Sequence, residues 1–136
     1  MVNIDFWKNR RVALTGHTGF KGSWLNFWLL ELEAKTFGFA LAPETEPALF
    51  NQLNLASRMS HQLGDICVFK DLKQWLYKVQ PEIIFHLAAQ PIVRRSYLEP
   101  LLTWETNVMG TLNLLEAVRS LNIPCVIIVI TTDKVY

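Results

Sequence analysis

Gly16-His17-Thr18-Gly19-Phe20-Lys21-Gly22 spaces three glycines evenly, directly after the apolar run Arg11-Val12-Ala13-Leu14-Thr15. Glycine permits positive φ in a tight turn, close approach of backbone N–H groups to a ligand, and tight packing of a helix on a strand. A helix N-terminus adds partial positive charge and unpaired amides. With a strand before it and a helix after it, this segment suits the pyrophosphate of a dinucleotide. Spacing alone would describe equally well a turn that merely needs glycine.

A second group lies at Thr132-Asp133-Lys134, just past the apolar run Cys125-Val126-Ile127-Ile128-Val129-Ile130. Polar residues at a strand end can meet substrate without burial inside a sheet, although short polar residues also cap helices and loops. Asp65 follows Gly64 and reads as a turn residue or a ligand to the cofactor. The acidic residue that takes the ribose hydroxyls about 20 positions beyond such a glycine turn is missing, because Ala40, Leu41 and Ala42 occupy that region. Glu44 and Glu46 come late, beside prolines, and read as solvated loop charges. No arginine waits there for a 2′-phosphate, so the expectation leans to NAD over NADP. His86 reads as a packed strand residue.

The 136 residues suffice for one domain. At 51% hydrophobic and 18% charged, with six Gly and six Pro, the chain is neither disordered nor low in complexity. A net charge of +1 with scattered Lys and Arg argues against nucleic acid as a partner. Cys67 and Cys125 lack the number and spacing of a disulfide scaffold or a metal site, which suggests the cytoplasm and no metal. No apolar run reaches about 18 residues and no signal-peptide pattern opens the chain, so neither membrane insertion nor targeting is expected.

The elements that must position these residues alternate. Residues 11–16 read as strand and turn, followed by a helix with Phe20, Trp24, Phe27, Trp28 and Leu32 at helical spacing. Phe37 to Leu41 reads as a strand, 48–59 as a weakly amphipathic excursion, and a short strand leads into Gly64. Asp71 is placed to cap a helix carrying the stripe Leu72, Trp75, Leu76 and Val79, which Pro81 ends. Glu82 to Leu87 is the next strand. A long helix is expected from about Leu101 to Leu121, with Val108, Leu112, Leu115 and Val118 on one face. The final apolar run suits a parallel strand covered on both faces. The fold expected is α/β, a Rossmann-like doubly wound parallel sheet in three αβα layers, here stopping after about the fifth strand as the N-terminal piece of a longer chain.

With Thr15 to Leu25 as written, the chain resembles the extended short-chain dehydrogenase/reductase family and, inside it, the 4,6-dehydratases of nucleotide sugars, those acting on CDP-glucose in particular. Gly64-Asp65-Ile66, His86-Leu87-Ala88-Ala89-Gln90-Pro91, Arg94-Arg95-Ser96-Tyr97, Thr106 to Thr111 and Thr131 to Tyr136 look like that family's motifs in its order. The resemblance implies that NAD is the cofactor and that Gly16, Thr18, Gly19, Phe20, Lys21 and Gly22 hold its pyrophosphate. It implies that Asp65 and Ile66 meet adenine, that Leu87, Ala88, Ala89 and Gln90 line the cofactor, and that Asn107 hydrogen-bonds behind the active site. It further implies that Thr132 bonds the sugar C4 hydroxyl, that Asp133 is the acid toward the departing C6 hydroxyl, and that Lys134 is the base at C5 or a charge that stabilises the enolate. The implied reaction carries hydride from C4 to NAD, eliminates water across C5 and C6, and returns hydride to C6, converting CDP-glucose to its 4-keto-6-deoxy product for deoxysugars of lipopolysaccharide O-antigen. The family's Tyr-x-x-x-Lys pair and its nucleotide-sugar segment would lie beyond Tyr136, so these 136 residues are expected to form an incomplete NAD-binding domain without turnover. A homo-oligomer is the implied assembly, with the 101–121 helix as a candidate face. The alternatives are another extended-family epimerase or reductase, and a non-catalytic NAD-binding module.

Overall fold

Residues 2–132 are described here, from a computed structural model. After the short helix α1 (Ile4–Trp7), the chain runs β1 (Arg11–Thr15), α2 (Phe20–Glu31), β2 (Lys35–Ala40), α3 (Leu49–Gln52), a 3-10 turn, β3 (Ser60–Leu63), α4 (Phe69–Val79) and β4 (Ile83–His86). It continues through α5 (Val93–Leu98), α6 (Pro100–Trp104), a π turn (Glu105–Met109), α7 (Gly110–Arg119) and β5 (Val126–Val129). All pairings are parallel and the order is β3-β2-β1-β4-β5. Strand order reverses between β1 and β4, the place where doubly wound sheets open a crevice for ligands.

Side chains of a strand alternate between faces, and β1 uses both. Ala13 joins Phe39, Ile84 and the α4 and α7 residues Leu72, Trp75, Leu76, Leu114 and Ala117 in one core. Val12 and Leu14 join Leu29 of α2, Ala34 and Ile83 in the other. The expected αβα layering therefore holds, and the predicted α4 stripe of Leu72, Trp75, Leu76 and Val79 is buried throughout.

Two helices add detail that periodicity did not give, and two local expectations are corrected. On α2 the aromatic stripe faces outward, Phe20 being 70% and Trp28 52% exposed, while Gly22, Ser23, Asn26 and Leu29 pack inward. Small residues let this helix close on the sheet, and they outweigh the aromatic periodicity. The helical stretch expected over 101–121 runs without interruption from Pro100 to Arg119 as α6, the π turn and α7; Val108, Leu112 and Leu115 are exposed, and Gly110, Leu114 and Ala117 take the inner face. Asp71 lies in the first turn of α4 and makes no side-chain cap; Val68 holds the cap position. Among the described residues β5 is an edge strand, with Val126, Ile128 and Val129 exposed.

The N-terminal edge of the sheet is tied by charge. The Glu82 carboxylate accepts from the Arg11 amide at 2.9 Å and from Arg10 Nη1 at 2.5 Å, and these bonds hold it below the usual carboxylate range. The Arg11 guanidinium donates to the Val79 carbonyl, closing the C-terminal end of α4. Because Glu82 is half-exposed, Glu82→Gln is expected to cost only about 1 kcal/mol in urea unfolding at neutral pH. An unchanged unfolding midpoint would contradict that.

Candidate functional site at the β1–β4 crevice

The glycine turn begins where β1 ends. Gly16 adopts φ +76°, a left-handed conformation that glycine accepts without strain, and its amide donates to the Phe39 carbonyl at 3.1 Å. A Cβ there would stand 2.7 Å from the Ala88 nitrogen and 2.8 Å from the Leu87 carbonyl carbon. The loop after β4 thus lies flush against the turn. Gly22 serves packing of the other kind, since its Cβ would land on the Gly16 carbonyl oxygen and 2.9 Å from His17 Cα.

Helix α2 starts behind this turn with Gly19 as its extended N-cap and no side chain capping it. Its first-turn amides are the orphan donors of a helix N-terminus, at the positive end of the dipole. The Ser23 hydroxyl turns backward, donating to the carbonyls of Gly19 at 2.7 Å and His17 at 3.1 Å. Phe20 and Lys21 are exposed beside that end. The Thr18 hydroxyl donates to the Leu41 carbonyl at 2.8 Å, fastening the turn to the chain leaving β2. Glu44, in that segment, pairs with Arg95 of α5 at 3.3 Å, and Arg95 also pairs with Glu99 at 2.6 Å.

His17 sits within this motif but its ring is fully buried, edge-on to Phe50 at 5.3 Å and to His61 at 5.5 Å. Burial first, and the His61 ring second, lower its pKa to about 4. It is neutral at physiological pH and brings no positive charge to the turn.

Beyond β4, the Leu87 amide donates to the Thr15 carbonyl at 3.1 Å and the Ala88 amide to Thr15 Oγ1 at 3.3 Å. Gln90 is held on both backbone atoms by one side chain: its amide donates to Asn107 Oδ1 at 2.8 Å, and Asn107 Nδ2 donates to its carbonyl at 3.2 Å. The Gln90 amide group itself is buried and engaged by Ile92 and Thr103. The main chain of 87–90, with two alanines, therefore forms this wall of the crevice.

At the end of β3, Asp65 Oδ1 accepts from the Cys67 amide at 2.8 Å, closing a local turn. Ile66 is buried under Gly110, and Asn113 Nδ2 donates to the carbonyls of Ile66 at 3.0 Å and Cys67 at 3.2 Å. Burial, with the neighbouring Asp65, raises the Cys67 thiol to about 11, so it stays protonated and is no nucleophile at neutral pH. Thr132 is exposed just past β5, while Asp133 and Lys134 lie outside the described residues. No metal-binding group of three acidic, His or Cys residues occurs among the described residues, and no described helix is long and apolar enough to cross a membrane.

Sequence reasoning missed Thr15 and Thr111 and placed His86 only as packing. Their link is spatial: Thr15 Oγ1 lies 2.6 Å from His86 Nδ1, and His86 Nε2 lies 2.9 Å from Thr111 Oγ1. No local pattern reports it.

A parallel sheet whose glycine turn opens where strand order reverses defines the Rossmann-type, doubly wound class of nucleotide-binding folds. Within that class, the GDP-mannose 4,6 dehydratase family matches residues 14–136, and the chain belongs to that family. It is 47% identical over 136 residues to a CDP-glucose 4,6-dehydratase of Salmonella typhimurium, covering all of this chain and 38% of that protein. It is 35% identical to a CDP-paratose 2-epimerase of Salmonella typhi, over 93% of this chain and 38% of the other. A UDP-glucose 4-epimerase from Stenotrophomonas maltophila, solved with bound NAD, shares the fold at a TM-score of 0.79 and 18% identity, over 94% of this chain and 38% of that one. The Thermus thermophilus UDP-glucose 4-epimerase in complex with NAD gives 0.71 at 29% identity, over 81% and 34%. The chain thus spans less than two-fifths of the length of these relatives.

Proposed function

We propose that the β1–β4 crevice holds NAD, and that the protein dehydrates a nucleotide sugar, CDP-glucose, at C5 and C6. The observation that carries the first part is the pairing of Gly16 in a left-handed turn with Gly22 against its carbonyl. Together they bring an uncapped helix N-terminus to the switch point. The fit is chemical as well as steric, because unpaired amides suit an anion and no acidic side chain stands in the turn.

In this reading the amides of Phe20, Lys21 and Gly22 grip the pyrophosphate beside Thr18 and Gly19, whose own amide donates to the Gly16 carbonyl at 3.2 Å, and the exposed Lys21 adds charge there. Asp65 and Ile66 meet adenine, the carboxylate accepting from its amino group. The chain from Leu87 to Gln90, held by Asn107, lines the cofactor. Bound NAD supplies a reversible hydride acceptor. Thr132, exposed past β5, bonds the sugar C4 hydroxyl. Asp133 donates a proton to the C6 hydroxyl as it leaves, which requires its pKa to rise above the ordinary 3.9 or so through burial or nearby negative charge. Lys134 takes the C5 proton if its own pKa falls well below about 10.4, or stabilises the enolate if it stays charged. The Tyr-x-x-x-Lys pair and the nucleotide-sugar segment belong in the additional length of the relatives. The 47% identity to a CDP-glucose 4,6-dehydratase supports the substrate, the work is that of a soluble cytoplasmic enzyme, and self-association through the exposed α7 face fits it.

Titration of the 136-residue chain with NAD tests this. Saturation at a hundred times Kd is expected to stabilise the fold by about 2.7 kcal/mol, with a weaker effect from NADP and no product from CDP-glucose. Absence of stabilisation overturns the cofactor assignment, and product formation overturns the assignment of the missing groups.

A further inference from the structure

His86 closes the end of β4 and is 2% exposed. Its ring lies between two hydroxyls, and the direction of each bond follows from what lies beyond. The Thr111 hydroxyl has one proton, which it donates to the Asn107 carbonyl at 2.9 Å, an acceptor only. Thr111 Oγ1 must therefore accept from His86 Nε2–H at 2.9 Å. Burial keeps the ring neutral, its pKa lowered to about 4, so Nδ1 carries a lone pair and accepts from Thr15 Oγ1–H at 2.6 Å. Thr15 Oγ1 then accepts from the Ala88 amide. Every donor has an acceptor in this arrangement. The opposite tautomer would turn Nδ1 into a donor toward Thr15 Oγ1 and leave the Thr15 hydroxyl hydrogen without its acceptor.

The chain of bonds has a mechanical consequence. It joins the last residue of β1, the last residue of β4, the loop at Ala88, and the π turn at Asn107. That π turn is real in its bonding, the Gly110 amide reaching the Glu105 carbonyl, and π turns cluster at functional sites because they re-aim side chains. Here the re-aimed side chain is Asn107, which holds both backbone atoms of Gln90.

We propose that His86 is a positioning residue: fixed as the Nε2–H tautomer between Thr15 and Thr111, it sets the π turn so that Asn107 keeps the 87–90 loop pressed against the glycine turn in the shape that takes the dinucleotide. The proposal rests on the cofactor reading of the crevice. It assigns a purpose to Thr15 and Thr111, whose side chains have no other role in the site.

The test uses the 136-residue chain labelled with nitrogen-15 in its histidines, with NAD affinity measured by calorimetry on the same samples. The unaltered chain is expected to show His86 protonated on Nε2 only at neutral pH. Thr111→Val is expected to change that tautomer signature and to weaken NAD about tenfold, while Thr111→Ser restores both. Thr111→Ala, which removes the hydroxyl without adding bulk, gives the same readings should Thr111→Val not fold. A wild-type His86 protonated on Nδ1 overturns the proposal, as does NAD affinity within twofold of wild type in a variant whose tautomer has changed. No uptake of NAD by the unaltered chain overturns the cofactor reading itself, and this inference with it.

Discussion

Gly22→Val is expected to raise the Kd for NAD at least a hundredfold and to lower the stability of the chain by about 2 to 4 kcal/mol. The cause is a collision of backbone with backbone. A Cβ at position 22 would occupy the place of the Gly16 carbonyl oxygen and stand 2.9 Å from the carbonyl carbon of Gly16 and from His17 Cα. No flexible side-chain end is available to move aside, so α2 must withdraw from the turn, taking its first-turn amides away from the crevice. Gly19 in the same motif provides the contrast. Its backbone has an ordinary extended conformation, and a Cβ there would lie 3.5 Å from the Gly16 oxygen, a normal contact. Gly19→Ala is therefore expected to unfold within about 1 kcal/mol of wild type. Urea unfolding of the two variants side by side checks the difference; equal losses would contradict the account of the turn.

Acid is expected to destabilise the chain steeply between pH 6.5 and 4. His17 and His86 are both buried, and their pKa values fall from about 6.5 to about 4. In that interval the unfolded chain takes up protons that the native rings refuse, so stability is full above the unfolded value and falls as pH drops toward the folded one. At pH 5 the loss is about 2 kcal/mol for each histidine, reaching roughly 3 kcal/mol each near pH 4. Below that, protonation of Glu82, whose carboxyl is held down first by the Arg11 amide and then by Arg10, acts in the same direction. Unfolding free energies at pH 7.5 and pH 5 are expected to differ by about 4 kcal/mol. In His17→Leu the difference should shrink by about half. A flat profile over that range would show that the rings titrate normally in the native state.

The parts of the fold written plainly in the sequence are those where one local rule has no competitor. The glycine spacing before a helix, and the i, i+3, i+4, i+7 stripe of Leu72, Trp75, Leu76 and Val79, each had a single physical solution. Where a helix carries apolar residues on two faces, periodicity could not choose between them. On α2 the choice fell to Gly22 and Ser23, and on α7 to Gly110 and Ala117, because small side chains let a helix approach its neighbour. Trp24, Trp28, Leu112 and Leu115 were left outside as a result. The π turn inside the 100–119 helical stretch was hidden for a related reason: one turn of different winding leaves no mark in composition. The candidate site shows the same division. The glycine turn, Asp65 and the 87–90 segment stood in recognisable motifs, whereas the bond between Thr15 and His86 joins residues 71 apart in sequence. Such a pair becomes visible only when β1 and β4 lie side by side.

The crevice proposed for the dinucleotide can be mapped residue by residue. Backbone amide spectra of the 136-residue chain, recorded as NAD is added, should show their largest changes at Gly19 to Gly22 and at Leu87 to Ala89, with Trp24 and Trp28 on the outer face of α2 unmoved. Changes centred on that outer face, or none at saturating NAD, would contradict the assignment of the glycine turn as the place where the cofactor is held.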